Sequence, residues 1–177
     1  MKRKNIKQKV REYYFLNPGA KLRVREIERA LKLPLPSVIR YCKELVKEGI
    51  LAIEKTGNTI FYTINKASEK CVLEKKIYNL KRVYESGIIN YLKQELSNPP
   101  IVLFGSFSKG EDIETSDIDL YIETPSKKEL HLERFEKFLK RKIQVFRQKS
   151  LNEMSNPHLA NNIINGITLN SYIEVFR

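Results

Sequence analysis

The chain has 177 residues, of which 41% are hydrophobic and 31% charged, with a formal net charge of +12. This is enough apolar content for one or two small cores. The lack of any run of 18 apolar residues, or of an apolar stretch behind the basic N-terminus, argues against a membrane span and a secretory signal. Cys42 and Cys71 lie far apart with no CxxC or histidine partner pattern. Zinc and a disulfide framework are therefore disfavoured, and free thiols fit a cytoplasmic protein. His131 and His158 read as surface residues. Charge is uneven: residues 1–66 hold 16 Lys and Arg against 6 Asp and Glu, while residues 67–177 hold 17 against 15. A basic excess confined to one end is the footprint of a polyanion-binding module, although Lys2, Arg3, Lys4, Lys7 and Lys9 can equally form a solvated tail.

In chain order, the pattern predicts a first helix over residues 5–16, ended by Asn17-Pro18-Gly19, and a second over 24–31, followed by a turn at Leu33-Pro34. A third starts near Pro36, with Val38, Cys42, Leu45 and Val46 as one apolar stripe and Arg40, Tyr41, Lys43 and Lys47 toward solvent. Gly49 ends it. Residues 50–55 and 59–63 alternate around Thr56-Gly57-Asn58 and read as a β-hairpin. Three helices and a hairpin in this order resemble a winged helix-turn-helix. The resemblance implies double-stranded DNA as a partner. The helix at 36–48 would enter the major groove, Ser37, Arg40 and Tyr41 would reach bases or phosphates, and Lys55 and Asn58 would sit on the wing. Such folds also serve as protein contacts or structural modules.

Residues 67–97 carry helical periodicity, which sets out a domain at 1–66, a connecting helix at 67–85 and a second domain at 86–177. Val72, Leu73, Ile77, Leu80, Val83 and Tyr84 form one stripe. Gly87 separates it from a helix burying Ile88, Ile89, Tyr91 and Leu92. The first stripe can pack within the chain, the default, or against a second copy, and a homodimer would suit palindromic DNA.

Pro99 and Pro100 introduce the apolar run Ile101 to Phe104, a buried strand. Gly105 breaks it. A glycine turns sharply and lets backbone N–H groups approach a ligand, and Ser106 adds a hydroxyl donor, a combination suited to phosphate oxygens. Downstream, Asp117 to Ile122 alternates at a period of two, with Asp117 and Asp119 on one face and Ile118, Leu120 and Ile122 on the other. Carboxylates at i and i+2 have Cβ atoms roughly 7 Å apart, within reach of one Mg²⁺ or Mn²⁺ held at about 2.1 Å from each oxygen. A helix over residues 127–141, with Leu130, Leu132, Phe135, Phe138 and Leu139 inside, then covers the sheet.

Gly105-Ser106, ten intervening residues and Asp117-Ile118-Asp119 resemble the signature of the DNA polymerase β nucleotidyltransferase superfamily, and in particular its minimal nucleotidyltransferases. The likeness runs over residues 86–177. It includes Asn165 to Leu169 and the closing Ile173-Glu174-Val175-Phe176, similar to the family's last helix exit and strand. Lys109-Gly110 stands where the family has Arg-Gly, keeping the charge but losing the bidentate fork. The resemblance implies an α/β fold (α+β, with a mixed sheet) behind the winged helix. It also implies a Mg²⁺-bound nucleoside triphosphate, with Gly105, Ser106 and Lys109 at the phosphates and Asp117 and Asp119 as catalytic metal ligands. The nucleotidyl group would pass to an acceptor hydroxyl with release of pyrophosphate. In look-alikes paired with a toxin the acceptor is a protein side chain, so AMP transfer to a partner belongs to the same expectation. Where catalytic members carry a third carboxylate on the neighbouring strand, this chain has Gln144, and no Asp or Glu lies between Lys137 and Asn152. A glutamine cannot act as a general base. The alternative is a DNA-binding regulator whose second domain binds nucleotide or a partner without turnover.

Overall fold

The computed structural model describes residues 5–175, and the chain divides into two compact units, Met1–Tyr78 and Asn79–Arg177. In the first unit, Asn5 starts helix α1 (Ile6–Leu16) by accepting a hydrogen bond from the Gln8 amide at 2.7 Å, satisfying an otherwise orphaned N–H. Helix α1 buries Val10, Tyr14 and Phe15, α2 (Val24–Leu31) buries Ile27, and α3 (Leu35–Lys47) buries Val38, Cys42 and Leu45. Of the basic N-terminal residues, Lys2, Arg3 and Lys4 lie outside the described residues. Lys7 is not a tail residue: it lies in α1 and pairs with Glu44 at 3.3 Å and with Glu48, tying α1 to the end of α3.

Strands β1 (Leu51–Thr56) and β2 (Thr59–Ile64) are antiparallel and close on the Thr56↔Thr59 pair. The turn is therefore the two residues Gly57-Asn58, and Gly57 takes φ 57° at its first position, where a hairpin turn needs a positive φ. Tyr62 exchanges backbone hydrogen bonds with Leu22, at 2.8 and 3.1 Å. Cys42 and Cys71 are both buried free thiols of this core, and burial pushes them up to about 12 and about 11.

Helix α4 (Glu69–Ser86) corrects the expected stripe. Leu73, Ile77 and Tyr84 are exposed, whereas Cys71, Lys75, Asn79 and Val83 are buried. These four recur at i, i+4, i+8 and i+12, so the buried face is a helical line that includes a lysine and an asparagine. An apolar stripe alone does not reveal it.

In the second unit, Gly87 at φ 78° ends α4 and starts α5 (Ile88–Glu95). Strands β3 (Ile101–Phe104), β4 (Ile118–Glu123), β5 (Ile143–Gln148) and β6 (Ile167–Asn170) form a mixed sheet in the order β5-β4-β3-β6. Only the β4/β5 pair is parallel, and the crossover between them carries α7 (Glu133–Leu139). One sheet face sends Leu103, Ile118, Leu120 and Ile122 into a core with Ile88, Leu92, Phe135 and Leu139. The opposite face buries Val102, Phe104 and Tyr121 against Leu151 and against Ile163 of α8 (Pro157–Ile164). Among the described residues, no helix is long and apolar enough to cross a membrane.

Three element boundaries differ from the expectation. The helix expected over 127–141 exists only as Glu133–Leu139. Upstream, the chain is irregular because tertiary partners take its backbone groups: Arg147 donates to the Lys128 carbonyl at 2.7 Å and the Tyr91 hydroxyl accepts from the His131 amide at 2.9 Å. Leu130 and Leu132 still pack on the core. The strand expected from Asp117 begins at Ile118, whose amide donates to the Lys142 carbonyl at 2.8 Å. At the end of the chain the strand is Ile167–Asn170, residues 173–175 are outside any strand, and Phe176 lies outside the described residues.

Candidate functional site

Asp119 sits in β4 with Phe104 of β3 as its register partner on one side and Gln144 of β5 on the other. Paired residues on adjacent strands project to the same face. Phe104, Asp119 and Gln144 therefore form one row across the sheet. Asp119 is half-buried, while Asp117, just before the strand, and Gln144 are exposed. Burial pushes the Asp119 carboxyl above its usual value, and the neighbouring Asp117 charge adds to the shift. The Asp117 charge is thus near enough to be felt at the Asp119 carboxyl.

After Phe104 the chain turns at Gly105, with φ 72°, directly into a short helix, α6 (Gly105–Lys109), rather than a simple turn. A Cβ on Gly105 would collide with Asp119 Oδ2. The left-handed backbone favours glycine there, and a Cβ would oblige the Asp119 carboxylate to swing aside. This contact brings the turn and the carboxylates together. Ser106 is half-buried and Lys109 exposed. The Ser108 hydroxyl donates to the Gly105 carbonyl at 2.8 Å, and Glu111 N–H returns to the Ser106 carbonyl at 3.0 Å. The first N–H groups of α6 have no intrahelical acceptor, so they and the Ser106 hydroxyl supply donors beside two acids.

Those acids fit a hard divalent cation as a pair, since Mg²⁺ is normally held by one or two carboxylates and completes its shell with substrate phosphates and water. The space left by Gly105 at Asp119 Oδ2 is where a side chain would otherwise intrude. No group of three or more His, Cys, Asp or Glu is placed to hold a metal among the described residues. A cleft of about 440 Å³ opens on the outer side of Asp117, lined by Ser116, Glu133, Lys137, Lys140 and Lys142 among others. It includes neither Asp119 nor Gly105, so it flanks the carboxylate pair.

In the first unit, the residues expected at a DNA surface are spread over two elements. Lys55 and Asn58 are exposed at the hairpin, Ser37 is half-buried at the start of α3, and Tyr41 is half-buried further along it. Arg40 is not free: its guanidinium lies 4.3 Å from the centre of the Tyr41 ring, donates to the Tyr41 hydroxyl and approaches Glu44 at 3.7 Å. A groove of about 480 Å³ runs between α2 and the hairpin turn, lined by Arg23, Arg25, Arg29, Asn58 and Thr59 among others. Arg25 and Arg29 escaped the sequence reading. Their signal was available as two arginines at i and i+4, hence on one helix face.

Residues 85–165, a little under half of the chain, match the family model described as a nucleotidyltransferase domain. The search of curated proteins and the search of solved structures each returned no match.

Proposed function

We propose that the second unit transfers a nucleotidyl group from a nucleoside triphosphate to an acceptor, and that the first unit is a winged helix-turn-helix that binds double-stranded DNA. The observation that carries the transferase reading is the packing of Asp119 Oδ2 against Gly105, which joins a donor-rich turn to a carboxylate pair. Ser106 and the amides around Gly105 would receive phosphate oxygens, Lys109 would offset their charge, and Asp117 and Asp119 would hold Mg²⁺ or Mn²⁺. The bound cation would supply charge neutralisation on the transferring phosphoryl group. This chain's own contribution would be orientation and electrostatic stabilisation.

The DNA reading is supported by the basic excess in residues 1–66 and by the arginines lining the groove beside Asn58. A second reading, a regulator that binds nucleotide or a protein partner with little turnover, is favoured by one observation: Gln144 occupies the strand position beside Asp119. Incubation of the protein with labelled nucleoside triphosphates, Mg²⁺ or Mn²⁺ and a cell lysate tests both. Label on a protein, such as a toxin partner, or on nucleic acid supports transfer and names the acceptor class. Nucleotide binding without label supports the regulator.

A further inference from the structure

Helix α6 has only five residues, far fewer than the roughly 12 to 15 a helix needs to persist by itself in water. Its pose must be imposed by tertiary contacts. One set is a buried polar cluster on the side of α6 away from solvent. Asn79 Nδ2 donates to the Phe107 carbonyl at 2.9 Å and to Asp112 Oδ1 at 2.7 Å, and Arg141 Nη2 lies 3.5 Å from Asp112 Oδ2. Asn79, Asp112 and Arg141 are 3, 2 and 8% exposed. A buried ion pair is seldom more stabilising than apolar residues of the same volume, so stability alone does not account for this one. Its placement does. Asn79 grips the middle of α6, Asp112 lies in the link from α6 to Asp117, and Arg141 stands just before the strand that carries Gln144.

We propose that Asn79, Asp112 and Arg141 form a positioning network that sets the turn at Gly105-Ser106 against Asp117 and Asp119. The inference rests on the nucleotide reading of that site. None of the three is assigned to the phosphates or the metal in that reading, although Arg141 lines the cleft beside Asp117. They act by holding α6, so their loss would loosen donors that must already be aligned when phosphate arrives.

The test uses the full chain with two variants, Asn79→Ala and the apolar replacement Asp112→Leu/Arg141→Met. For each, thermal melting, amide hydrogen exchange at Gly110 and Glu111, and calorimetric binding of ATP with Mg²⁺ are measured. The double variant should melt at or above the wild-type temperature. In both variants, exchange at Gly110 and Glu111 should accelerate by about tenfold and ATP affinity should fall by about tenfold, the equivalent of one or two lost hydrogen bonds. A merely structural network would shift melting and leave ATP affinity per folded molecule unchanged, and that result overturns the proposal. So does unchanged exchange at Gly110 and Glu111. If the double variant does not fold, Asn79→Ala decides by the same readouts. If wild type binds no ATP while exchange still accelerates in the variants, the nucleotide reading fails and the clamp on α6 stands.

Discussion

Replacing Gln144 by aspartate should convert the row Phe104, Asp119, Gln144 into a two-carboxylate row with Asp117 close by. Adjacent strands are about 4.8 Å apart, so the new charge would stand roughly 5 Å from Asp119, close to the strand spacing itself. Because Gln144 is exposed, the effective dielectric lies toward that of water, and Coulomb's law then gives a repulsion of about 1 kcal/mol. For a domain of this size that is a fall of about 4 to 8 °C in melting temperature. The sign follows from linkage. Asp119 already has a raised carboxyl, and a further negative neighbour raises it more. The penalty is absent where carboxylates are protonated in both folded and unfolded states and full above the raised value. Melts of Gln144→Asp and wild type should therefore coincide at about pH 3 and diverge toward about pH 7. Added Mg²⁺ should close the gap by neutralising the pair, and metal-dependent transfer or pyrophosphate release should rise by about 10²-fold if the new carboxylate serves as a base. Equal melting temperatures across that pH range, with or without Mg²⁺, would refute the premise that residue 144 faces the carboxylates. A variant no more active than a wild type that already turns over well would refute the idea that Gln144 weakens the site.

Asp119→Asn should raise the melting temperature of the metal-free protein at neutral pH, because burial and Asp117 disfavour its charge. The gain should shrink as pH falls toward the ordinary aspartate range, and calorimetry should show Mg²⁺-dependent nucleotide affinity reduced by about tenfold or more. Gly105→Ala should destabilise the fold in urea melts by at least about 1 kcal/mol for the left-handed backbone alone. Part of that loss should return in a Gly105→Ala/Asp119→Gly double variant, where the colliding carboxylate is gone; additive effects would reject the contact. Arg25→Ala/Arg29→Ala should weaken duplex DNA binding across sequences and reduce the slope of log affinity against log salt by about two. An unchanged slope in gel-shift or fluorescence titrations would remove the groove from the DNA surface.

Much of the architecture is legible locally. Helix α2 is read to its end residues because Asn17-Pro18-Gly19 and Leu33-Pro34 bracket it. The alternation through Ile118, Asp119 and Leu120 places Asp119 on the face opposite Ile118 and Leu120, whereas its neighbour Gln144 is implied by the family resemblance, since a period of two sets a face and not a register. What local pattern misses is set by partners distant in sequence. The residues before α7 have helical spacing, yet Arg147 and Tyr91 take their backbone groups. The buried line of α4 includes Asn79, whose hydrogen bonds with Phe107 and Asp112 make a polar residue acceptable inside. The length of α6 also eluded local reading, because a glycine before a serine marks a turn without saying how many residues stay coiled after it.

Both thiols of the chain lie in the first unit, at Cys42 and Cys71, and the second unit has none. With burial holding each well above the free value, little thiolate is present near neutrality, and a maleimide or disulfide reagent can react only when that core opens. Alkylation kinetics on the unmodified protein would thus time the opening of residues 1–78 alone. Exchange at the amides around Gly105 would time the other unit in the same tube, so the two clocks can be compared with and without DNA or nucleotide before a single residue is changed.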